Sequence, residues 1–146
     1  MTPEEYARKL SDTFHATFME SQGIKVLTAA GGRARATVAL SPGVAQPTGL
    51  FHAGAIIGLA DTTATVAALS ETNPAAEARA DLFPLAIQLS SNLMRNAKQG
   101  ALTADAEIIH RGKTTMVVNT RVIDDLGRLV ANVVVTLLMP PGVRAN

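Results

Sequence analysis

A chain of 146 residues is the size of one domain and leaves little room for a second. Hydrophobic residues make up 47% of it but aromatic ones only 3%, so a sizeable core must be built from Ala, Val, Leu and Ile. A formal charge of +1 excludes the broad basic field of a nucleic-acid binder, and the absence of cysteine excludes disulfides, thiolate metal sites and thiol nucleophiles.

The opening "MTPEEYARKLSD" carries acids where a secretory signal has its basic region. Uninterrupted apolar runs such as "LVANVVVTLLM" fall short of the roughly 20 residues that cross a bilayer. A soluble, cytoplasmic chain with no membrane partner is the expectation. Thr2, Pro3 and Glu5 supply an N-cap, a first helical residue and a capping-box acid. Tyr6, Leu10, Phe14 and Phe18 recur every four residues, which predicts one amphipathic helix stopped by Gly23.

Gly31-Gly32 separates two runs of period-2 character, Ile24 and Val26 before, Ala34, Ala36, Val38 and Leu40 after, and predicts a hairpin. "SPGVAQPTG" cannot be regular structure and delivers the chain into "GLFHAGAIIGLADTTATVAALS", a helix expected from about Ala53 to Glu71. A polar connection, "NPAAEARADLFP", follows. Four extended runs then complete the chain. "PLAIQLSSNLM" has Leu85, Ile87 and Leu89 on one side, and "ALTADAEIIH", "TTMVVNTRVID" and "RLVANVVVTLLM" are joined by turns short enough to make them antiparallel. "PPGVRAN" is expected to be a fraying tail.

Six antiparallel strands and a helix apolar on nearly every side fit one arrangement best, a curved sheet wrapped around the helix. This predicts an α+β hotdog fold in a single domain, residues 1–146, with an additional N-terminal helix. Such a sheet leaves an edge strand and part of its helix uncovered. Pairing two copies removes both exposures, so a homodimer or a homotetramer is expected.

One residue contradicts the helix around it. Asp61 sits among apolar and small neighbours with no Lys or Arg three or four positions away. A carboxylate so placed has a raised pKa and a basicity useful near neutral pH, as a general base or a nucleophile needs. The helix start supplies the complementary tool, since its first N–H groups lack intrahelical partners and "HAG" lets a ligand oxygen approach them. Ala53 and Asp61 are eight residues apart, roughly 12 Å along the axis. One chain therefore cannot apply both to one carbonyl, whereas two antiparallel helices across a two-fold axis can. The plainer account makes Asp61 a helix acid satisfied by threonine hydroxyls, Thr62 and Thr65 being nearest, or by buried water.

The stretch "GLFHAGAIIGLADTTATVAA" resembles the helix motif of hotdog acyl-CoA thioesterases of the PaaI and 4-hydroxybenzoyl-CoA thioesterase type, a His-Gly-Gly run followed by an acid within the helix. "NLMRNAKQG", "IIHRGKTTMVV" and "DDLGRLVANVVVTLL" are similar to that family's later strands and turns. The resemblance implies hydrolysis of acyl-CoA thioesters, aryl or alkyl. It implies Asp61 as the catalytic carboxylate, the Ala53 N–H beside Gly54 as the donor to the thioester carbonyl, Gln46 near that carbonyl, Thr65 as a positioning hydroxyl, and His52 as the residue that holds the loop. CoA is then part of the substrate, and no metal or separate cofactor is implied.

Three positions depart from the family pattern: Ala53 replaces the middle Gly, Ala86 stands where some members place a catalytic hydroxyl, and Asn96 replaces a Pro. The CoA phosphates need surface cations, for which Arg95 with Lys98 and Arg111 with Lys113 are the candidates. His15 and His110 lack clustered ligand spacing and suggest no metal. Two further readings remain open at this point: a hotdog dehydratase or hydratase of 3-hydroxyacyl thioesters, and an acyl-CoA-binding module without turnover, which Ala86 keeps in play.

Overall fold

Gly31 and Gly32 both take positive φ, 55° and 78°, as a two-residue hairpin turn requires. In the computed structural model, which describes residues 1–144, they join β1 (Lys25–Ala30) to β2 (Arg33–Ala39). The helix α3 (Ala53–Thr72) follows, and then β3 (Leu85–Leu93), β4 (Ala101–Arg111), β5 (Thr115–Ile123) and β6 (Leu129–Leu138). All neighbours are antiparallel, in the order β1-β2-β4-β5-β6-β3. This is the hotdog arrangement expected from the sequence.

The strands turn alternate residues inward onto α3, among them Ala36, Val38, Leu102, Met116, Val118 and Val135, all fully or almost fully buried. The helix answers with Ala60, Ala64, Ala67 and Ala68, side chains small enough for the sheet to curve closely around it. Leu59 and Leu69 fill the remaining space, each burial contributing about 1.5–3 kcal/mol. By length and composition alone α3 is apolar enough to cross a bilayer, although its scattered polar residues keep each uninterrupted apolar run short. The sheet covers most of it, as for a core helix.

The N-terminal segment differs from the single helix expected. It divides into α1 (Pro3–Ser11), a 3₁₀ turn (Asp12–Phe14) and α2 (Phe18–Gln22). The hydroxyls of Thr13 and Thr17 donate to the carbonyls of Leu10 and Phe14, and Ala16 lies in the left-handed region at φ 57°. Tyr6, Leu10 and Phe14 are buried, but the break turns Phe18 out of their stripe, and its ring lies over Gly58 of α3.

The first long strand also departs from its expected pattern. A bulge between Ala86 and Gln88 sets Leu85 opposite Leu138 and Leu89 opposite Val135, positions that face opposite ways on β6. Leu85, Ile87 and Leu89 therefore do not share one side. Of the two sheet edges, β1 is covered by α1, whereas β3 is bare along its length. Part of the expected tail is a short helix, α4 (Pro141–Arg144), whose Gly142 lies against Asp81; Ala145 and Asn146 lie outside the described residues.

Candidate active site

His52 takes the N-cap position of α3, and its Nδ1 accepts the Gly54 N–H at 2.8 Å. Its own N–H donates to the Val44 carbonyl at 2.9 Å. His52 thus fixes the start of the helix and occupies Gly54, leaving the exposed Ala53 N–H as the donor without a partner among the described residues. The positive end of the α3 dipole stands behind that N–H.

The loop before the helix is closed by a bridge between Ala45 and Phe51, with the Gln46 N–H donating to the Leu50 carbonyl and Gly49 turning at φ 86°. Gln46 is half-buried there, and its side-chain amide donates one hydrogen to Thr48 Oγ1 at 2.8 Å and keeps the other free.

Asn96, a departure that the sequence marks only as a missing proline, clamps this loop. Its Nδ2 donates to the Phe51 carbonyl at 2.8 Å and its Oδ1 accepts the Phe51 N–H at 3.1 Å. Phe51 is fully buried, so Asn96→Ala would strand both of its backbone groups away from water. A loss of about 2 kcal/mol in unfolding free energy is expected, measurable by denaturant titration. No local signal in the sequence announces this role, because the partner lies 45 positions away.

Asp61 is partly buried, and its Oδ1 is wholly enclosed with no hydrogen-bond partner. Neither Thr62 nor Thr65 bonds to it, so the threonine-satisfied reading of this acid does not hold. Burial raises the Asp61 carboxyl above its ordinary 3.8. The acid opens on a cavity of about 330 Å³ shared with Thr65 on the next turn and with Ala86 at the start of β3. Phe14 and Met19 from the N-terminal segment and Phe83 before β3 complete its apolar wall, contributions hidden from a reading of the helix motif alone.

The two basic pairs lie at opposite ends of α3. Arg95 and Lys98 flank Asn96, hence the helix start, and are exposed. Arg111 instead forms an ion pair with Glu71, roughly 27 Å further along the helix, with Lys113 exposed beside it. A single chain does not bring all four cations to one entrance. Among the described residues no three His, Cys, Asp or Glu side chains cluster as metal ligands, and His15 lies beside Glu20.

The sequence profile of the Thioesterase superfamily matches residues 48–131, which span the helix start, Asp61 and the strands around them. The chain belongs to that superfamily. Among relatives of this thioester hydrolase, the 1,4-dihydroxy-2-naphthoyl-CoA hydrolase of Listeria monocytogenes is 28% identical over 110 residues, 75% of this chain and 85% of that one. The fold superimposes on thioesterase PA1618 of Pseudomonas aeruginosa with a TM-score of 0.81 at 22% identity, covering 92% and 94% of the two chains. SAV0944 of Staphylococcus aureus, a thioesterase 28% identical to this one, gives a TM-score of 0.74 over 84% of this chain and 98% of its own. It has been crystallised with a glutamine replaced by alanine, and separately with a glutamate replaced by alanine. Those two positions are as far apart in sequence as Gln46 and Asp61 of this thioesterase.

Proposed function

We propose that this thioesterase hydrolyses acyl-CoA esters in a homodimer whose two sites each combine Asp61 of one subunit with the α3 start of the other. The observation that carries the reading is the enclosed, unpartnered Oδ1 of an Asp61 carboxylate that opens on an apolar cavity. The CoA portion is supported by the naphthoyl-CoA hydrolase among the relatives, and the pairing of Gln46 with Asp61 by the matched spacing in SAV0944.

In this mechanism the thioester oxygen accepts the Ala53 N–H, with Gln46 beside it, so that charge developing on oxygen is met by a fixed donor at a helix start. The Asp61 carboxylate of the partner removes a proton from water held at Thr65. The water oxygen adds to the carbonyl carbon, the C–S bond breaks, and the proton on Asp61 returns to the leaving thiolate. Ala86 offers no hydroxyl, and none of these steps requires one.

Exposed surface supports the dimer as well as chemistry does. Leu89 and Leu93 of β3 and the Asp61 face of α3 lie next to the bare sheet edge. Joining β3 to its copy would extend the sheet, cover those leucines and set the two α3 helices antiparallel. Arg95 and Lys98 of one subunit would then share an end of the dimer with Arg111 and Lys113 of the other, where CoA phosphates need cations.

Release of free thiol from a panel of aryl and alkyl CoA esters is the direct experiment. Turnover with at least one ester is expected. Absorbance change with a 2-enoyl-CoA and no thiol release would favour the hydratase reading, and tight CoA-ester binding with no cleavage would favour a binding module.

A further inference from the structure

The cavity at Asp61 does not end there. A second cavity, about 670 Å³, shares Phe14, Met19, Leu69, Phe83 and Leu85 with the first and continues toward the C-terminal end of α3. Leu69 marks where the chambers meet, and Asn73 on the far one lies twelve residues from Asp61, roughly 18 Å along the axis and the length of an extended chain of about fourteen carbons. Resting on the hydrolase reading above, we propose that the acyl group is an unsubstituted alkyl chain of up to about fourteen carbons, held in this two-chamber channel between α3, the N-terminal segment and the connection before β3.

Chemistry along the channel separates alkyl from hydroxyaryl groups. The side chains without hydrogen-bond partners stand at the reacting end, where Asp61, Thr62 and Thr65 meet the first chamber. In the second chamber the polar side chains already bond within the protein. The hydroxyls of Thr13 and Thr17 donate to the Leu10 and Phe14 carbonyls, Asn73 exchanges two bonds with the Glu77 backbone, and Arg79 pairs with Asp81 and Glu77. An acyl hydroxyl there would have to exchange its bonds with water for a share of side chains that already hold protein partners, in a wall that is otherwise apolar. Methylene groups lose nothing, and each one buried against Leu69, Phe14 and Phe83 adds binding.

The N-terminal segment thereby acquires a role beyond packing. Its broken helix, with the left-handed Ala16, lets Met19 of α2 join Phe14 on the walls of both chambers. Ala78 and Ala80, exposed and lining the far chamber, are where added bulk would shorten the channel without entering the core.

The experiment measures kcat/KM for butyryl-, octanoyl-, decanoyl-, tetradecanoyl- and 4-hydroxybenzoyl-CoA with wild type, A80F and A78F. The expected result is a rise of about three- to fourfold per methylene over the shorter esters, continuing more gently to about fourteen carbons, with the hydroxyaryl ester below octanoyl. Each variant should lower the tetradecanoyl value at least tenfold and leave butyryl within twofold. A flat response to chain length, a preference for the aryl ester, or equal losses on short and long esters overturns the channel while the hydrolase reading stands. If no CoA ester is cleaved, the hydrolase reading falls, and the channel is decided by tetradecanoate displacing a fluorescent dansyl-undecanoate. Displacement weakened at least fivefold in A80F supports it, and equal displacement overturns it.

Discussion

Asp61→Asn is expected to lower kcat/KM by about 10³-fold while leaving the fold intact, because the amide keeps the shape of the carboxylate and cannot accept the proton. The same substitution should stabilise the protein at neutral pH. Burial raises the Asp61 carboxyl above 3.8, so the folded state holds its proton more tightly than the unfolded chain does. The stability contributed by the protonated acid is complete below the unfolded value and is lost as pH rises through the folded one. Denaturant midpoints of wild type and variant should therefore diverge upward from about pH 3.8, with the variant the more stable, and then run parallel. Wild-type kcat/KM should rise over the same interval as the base ionises. Activity of the variant within a few-fold of wild type, or a stability difference indifferent to pH, would dispose of Asp61 as the base.

Ala53→Pro addresses the other half of the site. It deletes the N–H at the first helical position, where proline is tolerated because that hydrogen has no intrahelical partner. His52 already has φ −66° and ψ 137°, the extended conformation that a following proline demands. The helix should form as before, and kcat/KM should fall by about 10²–10³-fold through the lost donor. Complementation then decides how the site is assembled. Asp61→Asn and Ala53→Pro chains refolded together form mixed dimers in which one site has both substitutions and the other has neither. About a quarter of wild-type activity should return from two parents that are each inactive. A mixture as inactive as its parents would mean that Asp61 and the Ala53 N–H serve within one chain, against the roughly 12 Å that separates them along α3.

The fold, and the lone acid and free helix start proposed as the site, were legible in the sequence because they depend on local order. Gly31-Gly32 suits the tight two-residue turns of a hairpin, and strand alternation has a period of two whatever its partner. A lone Asp in an apolar helix is conspicuous without coordinates. The Ala53–Asp61 separation also follows from residue count, since helical rise is fixed.

What the sequence did not disclose depends on groups distant along the chain. The stripe of Tyr6, Leu10, Phe14 and Phe18 assumes an unbroken helix, and only the folded chain shows Thr13, Thr17 and Ala16 interrupting it and Phe18 resting on Gly58. The β3 bulge belongs to its pairing with β6, which no alternation within β3 encodes. Asn96 gains its place by reaching Phe51, and Arg111 is drawn to Glu71 at the far end of α3. By itself, then, the sequence determined the six strands and the central helix, the helix-in-sheet architecture and the acid at its centre, through periodicity and the cost of burying charge. Tertiary structure alone decided which walls enclose that acid, because a cavity is made by side chains that meet only when the chain has folded.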